Sequence, residues 1–235
     1  MSMANPSDGV KGPLTSDQDG SIPLNFGIIV FPGFQALDAF GPLDALNTLA
    51  FTLPLNLSII AATLDPVSTK PPSIPEIKFH QSIVPTHTFT TAPPLDVLII
   101  PGGRGTVDPS IQFAIDFVAR VYPSLKYLIT VCTGSGIAAR AGVLDGRRAT
   151  TNKLRWASIV ELRPQVKWIS HARWVVDGNV WTSAGVSAGL DVVFGFIAEV
   201  YGEQTAERLA NHLEYKRHTD PSWDPFAELH GLTDS

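Results

Sequence analysis

Cys132 is the only cysteine of the chain, and it stands where a run of β-formers, Leu128-Ile129-Thr130-Val131, meets a glycine-rich stretch, Thr133-Gly134-Ser135-Gly136. A strand that turns sharply into a helix pushes the side chain at the break out of the sheet edge. Small neighbours such as Gly134 and Gly136 permit the tight backbone this needs. The helix N-terminus presents free N–H groups and the positive end of its dipole, an environment that lowers a thiol pKa and predicts a resting thiolate at Cys132. A lone cysteine is also commonly a small, inert, buried residue, and the local pattern leaves both readings open.

Two other stretches could serve the same chemistry. Asp38 lies in Ala36-Leu37-Asp38-Ala39-Phe40-Gly41-Pro42, an acid among apolar neighbours. It reads either as a helix cap or surface residue, or as a carboxyl group brought to the end of the first strand. Gly102-Gly103-Arg104-Gly105 follows an apolar run and fits neither a Walker loop nor a dinucleotide fingerprint. It is a plain tight turn, or it offers the Gly103 N–H, beside those of Cys132 and Thr133, as an oxyanion hole. Six histidines are present, none paired with another at metal-ligand spacing. His171, just ahead of an expected strand, is the best placed to partner the thiol, and is otherwise a surface or structural histidine.

The elements that would position these groups follow from hydrophobic patterning. Near-continuous apolar runs at 24–31, 55–62, 95–100 and 128–131 suit parallel strands buried on both faces. Helical spacing follows at 34–49, interrupted by Gly41-Pro42, and at 109–121, 153–162, 188–201 and 203–215. Seven prolines between 65 and 94 predict loops and short edge strands there, near Lys78–His80 and Ile83–Val84. Further strands are expected at 146–151, 166–169, 173–176 and 180–182, the last two joined by a turn at Asp177-Gly178. This alternation argues an α/β fold, a doubly wound, mostly parallel sheet with helices on both faces. Such sheets bind ligands at the carboxyl ends of their strands, and Asp38, Gly102-Gly103 and Cys132 each fall at such an end. Trp156, Trp168, Trp174 and Trp181 gather in one quarter of the chain and read as core.

Polar residues 1–23 read as a disordered leader, 24–215 as a single domain, and 216–235 as a polar C-terminal tail. A net charge of −5 without a Lys/Arg run argues against a nucleic-acid partner. No apolar run reaches the length of a membrane span. One cysteine allows no internal disulfide, and the N-terminus lacks an apolar signal core, so a cytoplasmic location is expected.

Phe31 to Pro42, Leu95 to Gly103, and Val131-Cys132-Thr133-Gly134-Ser135 together resemble the ThiJ/PfpI superfamily, and within it the isocyanide hydratase branch. Gly146 to Thr151, Asp177-Gly178-Asn179 and Ala188-Gly189-Leu190-Asp191 add to the resemblance, which spans about Phe26 to Glu214. It implies a flavodoxin-like fold, a homodimer, no cofactor, and a small electrophilic substrate. Cys132 would be the nucleophile. Most of the superfamily places a Glu near that thiol; the hydratase branch places an Asp, and Asp38 matches it. Beside the thiolate, that carboxyl should have a raised pKa and act as a proton donor. Thr133 matches the residue after the nucleophile, where protease-like members carry a His. Two departures bear on the pocket. Asn152-Lys153 replace a His-Trp pair, and the proline-rich 65–77 segment is longer than usual. The resemblance implies isocyanide hydration, with glyoxalase chemistry, cysteine redox sensing and a specialised lyase or amidase as alternatives.

Overall fold

The computed structural model describes residues 22–232, so almost all of the expected leader lies outside the described residues. The elements run, in chain order, β1 (Asn25–Ile29), α1 (Ala36–Leu49), β2 (Asn56–Ala61), β3 (Val67–Ser68), β4 (Ser82–Ile83) and β5 (His87–Thr88). They continue with β6 (Val97–Ile100), α2 (Gln112–Val121), β7 (Tyr127–Thr130), α3 (Gly134–Arg140), β8 (Arg148–Ala149) and α4 (Trp156–Val160). The last are β9 (Lys167–Trp168), β10 (Trp174–Asp177), β11 (Val180–Ser183), α5 (Ala188–Tyr201), α6 (Glu203–His212) and α7 (Pro225–Leu229).

Seven strands form the central sheet in the order β10-β11-β7-β6-β1-β2-β5. Every neighbouring pair is parallel except β10 and β11, the hairpin expected at Asp177-Gly178. The apolar runs become its centre: Ile28 of β1 sits between Ile59 and Ile99, and Ile28, Ile99 and Ile129 are fully buried. Strands covered on both faces have no use for alternation, which is why their sequences read as unbroken apolar stretches. Helices α1, α5 and α6 pack together in one layer, and α2 with α3 in another. The chain leaves β1 toward β2 in one direction and later returns to build β6, β7 and β11 in the other. That reversal opens a crevice at the carboxyl ends of β1, β6 and β7.

Several local expectations are corrected. Helix α1 runs through Gly41-Pro42 without a break; Pro42 forfeits only the bond its N–H would give the carbonyl four residues earlier. No strand forms at Lys78–His80, where Phe79 is exposed; β3 pairs with β4 instead as a separate two-stranded arm. That proline-rich arm lies against the loop after β1, with the Gly33 N–H donating to the Ser68 carbonyl at 2.9 Å. Strands β8 and β9 pair with each other, outside the central sheet. Helix α4 begins only at Trp156 because Lys153 is drawn inward, onto Asp224.

The segment after residue 215, expected as a polar tail, is folded onto the domain among the described residues. Tyr215 donates its hydroxyl to Asp191 Oδ1 at 2.6 Å, and the His218 N–H reaches the same atom at 3.1 Å. Asp191 also holds Arg173 in a buried ion pair of 2.8 Å. The Arg173 N–H donates to the Pro221 carbonyl at 2.7 Å, and the His218 and Trp223 rings stack at 4.3 Å. Polar composition concealed this docking because its anchors are buried charged and backbone groups, which hydropathy does not register. Among the described residues no helix is long and apolar enough to cross a membrane.

Candidate active site

Cys132 stands two residues past the end of β7 and takes φ of 57°, a left-handed conformation that non-glycine residues seldom adopt. Its N–H donates to the Ala184 carbonyl at 3.1 Å, so the peptide is clamped between β7 and the loop after β11. Its carbonyl accepts from the Thr151 hydroxyl at 3.0 Å and from the Ser135 hydroxyl at 3.1 Å. The strand–elbow–helix reading of the sequence therefore holds, and the strained backbone is fixed on both sides.

Asp38 sits in the first turn of α1 but does not cap it; Gln35 occupies the cap position and makes no side-chain cap bond. The carboxyl is fully buried and turns toward the elbow. Its Oδ2 accepts from the Gly102 N–H at 3.0 Å, while Oδ1 makes no conventional hydrogen bond. Gly102 is needed for this approach: a Cβ there would stand 2.6 Å from Thr133 N and 2.9 Å from Asp38 Oδ2. The three expected loops thus meet at one rim, joined further by the Gln35 N–H to the Gly102 carbonyl at 2.8 Å.

Burial pushes the Asp38 carboxyl up to about 7, against the lowering effects of its hydrogen bond from Gly102 and its contact with the Cys132 thiol. The carboxyl is raised, as expected, but the cause is desolvation and not the sulfur neighbour, whose thiol lowers it. The expectation for the thiol itself is overturned. Burial first, and the Asp38 charge second, push Cys132 up to about 12. Hydrogen bonds from the Val186 N–H, the Thr133 N–H and the Asn152 amide favour the thiolate without offsetting this. The seven-residue α3 brings only its terminal N–H groups to bear, and a desolvated anion beside a carboxylate costs more than they return.

The expected oxyanion hole is also corrected. The Gly103 N–H is occupied by Thr133 Oγ1 at 2.9 Å and the Cys132 N–H by Ala184, so neither is free. Gly103 instead makes the turn, at φ of 130°, and bridges to Phe34. Thr133 is a brace: its hydroxyl joins the Gly102-Gly103 loop while its N–H faces the sulfur. Gly134 opens α3 close against the Ile100 carbonyl. Asn152 contacts the thiol directly; its Oδ1 accepts from the Arg155 N–H at 3.0 Å, leaving the amide nitrogen to donate to sulfur. His171 is not among the groups that hydrogen-bond or interact electrostatically with the thiol; it lies partly exposed between β9 and β10. Val186 was missed. It donates through its backbone, so no side-chain type marks it, and its φ of 31° shows only in three dimensions.

The geometry agrees with what the sequence shares with other proteins. The pattern of the DJ-1/PfpI family matches residues 26–199, most of the chain and every group just described. The chain belongs to the DJ-1/PfpI family. It is 34% identical over 195 residues to the isonitrile hydratase of Pseudomonas putida, covering 82% of this chain and 78% of that one. It is 29% identical over 135 residues to the HTH-type transcriptional regulator GbdR of Pseudomonas aeruginosa, covering 57% of this chain but only 36% of the regulator. The crystal structure of a ThiJ/PfpI family protein from Pseudomonas syringae superposes with a TM-score of 0.72 at 32% identity, over 94% of this chain and 85% of the other. The DJ-1/PfpI fold thus accounts for the mostly parallel sheet and for the crevice in which the Cys132–Asp38 pair lies.

Proposed function

We propose that the protein is a cofactor-free hydratase that converts an isocyanide and water into an N-substituted formamide. One observation carries the reading: a thiol and a carboxyl group face each other in a site closed to bulk water, Cys132 being 5% and Asp38 0% exposed. The 34% identity to isonitrile hydratase supports it.

Above about pH 7 the pair holds one proton, on sulfur, with Asp38 ionised. Transfer of that proton to Asp38 creates the nucleophile and the acid in one step. The Asn152, Thr133 and Val186 donors stabilise the thiolate so formed. Sulfur attacks the terminal carbon of R–N≡C, forming a C–S bond, and Asp38 returns the proton to that carbon to give a thioimidate, R–N=CH–S–Cys132. Asp38, again a carboxylate, takes a proton from water as the water oxygen adds to the same carbon, and passes it to nitrogen. The hydroxyl proton then leaves to Asp38, the C–S bond breaks, and R–NH–CHO departs. Asp38 passes that proton to the departing sulfur, which restores the thiol–carboxylate pair. Burial limits the reacting end of the substrate to a small, neutral group, which an isocyanide carbon is.

The experiment is turnover of para-nitrophenyl isocyanide by the natural sequence and by Cys132→Ala. Formamide formed by the former alone supports the reading; no formamide from either overturns it. The same reading keeps the homodimer expected from the resemblance, which sedimentation of the purified protein would test.

A further inference from the structure

Lys153 and Asp224 form an ion pair of 3.2 Å with both side chains almost wholly buried. Bringing two charges out of water is costly, and an apolar pair of the same volume would serve stability as well or better. The location of the pair is informative. Lys153 directly follows Asn152, whose amide donates to the Cys132 sulfur. Lys153 Nζ also donates to Thr150 Oγ1 at 2.6 Å, and the Thr150 N–H donates to Thr182 Oγ1 at 2.9 Å. Between them, Thr151 holds the Cys132 carbonyl. Residues 150–153 are therefore a short brace running from the elbow to the ion pair.

Asp224 sits on the segment after α6, fixed on the other side by Asp191, which accepts from Tyr215 and the His218 N–H. Its Oδ1 accepts from the Phe226 N–H at 3.1 Å, capping α7. The segment is tied toward the nucleophile through Lys153 and through the Arg173–Pro221 peptide contact. We propose that Asp224 is a positioning residue for the nucleophile: its ion pair with Lys153 holds Asn152 where the amide donates to the Cys132 sulfur. The inference rests on Cys132 as the reactive group of the proposed function, and it assigns the C-terminal segment a part in setting that reactivity.

The test is the rate of Cys132 alkylation by iodoacetamide, which needs no isocyanide substrate. It is measured across pH for Asp224→Asn, Asn152→Ala and the double variant. A hydrogen bond to a charged group contributes enough that its loss slows alkylation by about tenfold or more. Asp224→Asn keeps the α7 cap oxygen, so its expected effect matches that of Asn152→Ala, and the double variant is no slower than either single one. Where Asp224→Asn does not fold, Lys153→Met combined with Asp224→Asn leaves no buried unpaired charge and carries the same comparison. A folded variant alkylated at the natural rate overturns the proposal, and so does an Asp224 effect that persists in full in the Asn152→Ala background. Absence of isocyanide turnover with a normal Asp224–Asn152 cycle would overturn the proposed reaction while leaving this assignment standing.

Discussion

The Asp38 carboxyl and the Cys132 thiol lie together in a site sealed from water; the Asp38 charge makes ionisation of the thiol harder, while the thiol eases ionisation of Asp38 against the larger cost of burial. Neither behaves as it would alone. The carboxyl holds its proton to about 7 and the thiol to about 12, so at neutral pH the pair sits near its first proton loss.

The pH dependence of turnover follows from that ordering. Below about 7 both groups are protonated and no base is available to take the thiol proton. Isocyanide kcat/KM should rise about tenfold per pH unit below that point and level off above it. A rate that falls as pH rises through 7 would identify protonated Asp38, not the carboxylate, as the working form.

Asp38 should also weaken the fold at high pH. Its folded pKa is raised above the ordinary 3.8, so between 3.8 and about 7 the native state binds more protons than the unfolded chain. Stability therefore falls as pH rises through that window, by up to about 4 kcal/mol. Asp38→Asn, which still accepts from the Gly102 N–H, removes this cost. It should melt higher than the natural protein at pH 8 and about equally at pH 4, while turnover drops by about 10²–10⁴-fold. Thermal denaturation at the two pH values measures the first effect, and steady-state kinetics the second.

Thr133 braces two loops through its hydroxyl. Thr133→Val leaves the Gly103 N–H without its acceptor, at a cost of about 1–3 kcal/mol. Thr133→Ser retains the oxygen and should stay within about 1 kcal/mol of the natural protein in urea denaturation. Equal losses in both variants would mean that the methyl group, not the hydroxyl, matters.

Gly185 makes room for Asn152. A Cβ at this position would stand 2.6 Å from Asn152 Nδ2. Gly185→Ala should displace the amide from the sulfur and slow Cys132 alkylation by about tenfold, with only modest loss of stability. Unchanged alkylation would show that the amide has another way to reach the thiol.

Much of the fold was legible in the residues themselves. Runs such as Phe26–Ile29 and Val97–Ile100 read as doubly buried strands because a parallel sheet covered on both faces asks for apolar side chains at every position. The break after β7, with a cysteine followed by Thr133-Gly134, announced the elbow, since only that backbone needs those small residues. The alternation of strands and helices then brought Asp38, Gly102 and Cys132 to the same sheet edge.

What the chain by itself determined was therefore the scaffold and the placing of Asp38 and Cys132 at one edge of it, because strand order and strand ends are written in local patterning. The protonation state of the pair was decided only by tertiary structure: solvent exclusion is a property of the packed whole, and it overrides the pull of the short helix α3 on the thiol. The donors around the sulfur were decided there too. Val186 acts through a backbone N–H that every residue but proline possesses, and the Gly103 N–H is consumed by a neighbour thirty residues away. The docking of the C-terminal segment rests on Asp191 and Asp224, acids that look like surface residues until Arg173 and Lys153 meet them in the interior. Charge pairing at long sequence separation has no periodicity to betray it, and only the folded chain brings such partners together.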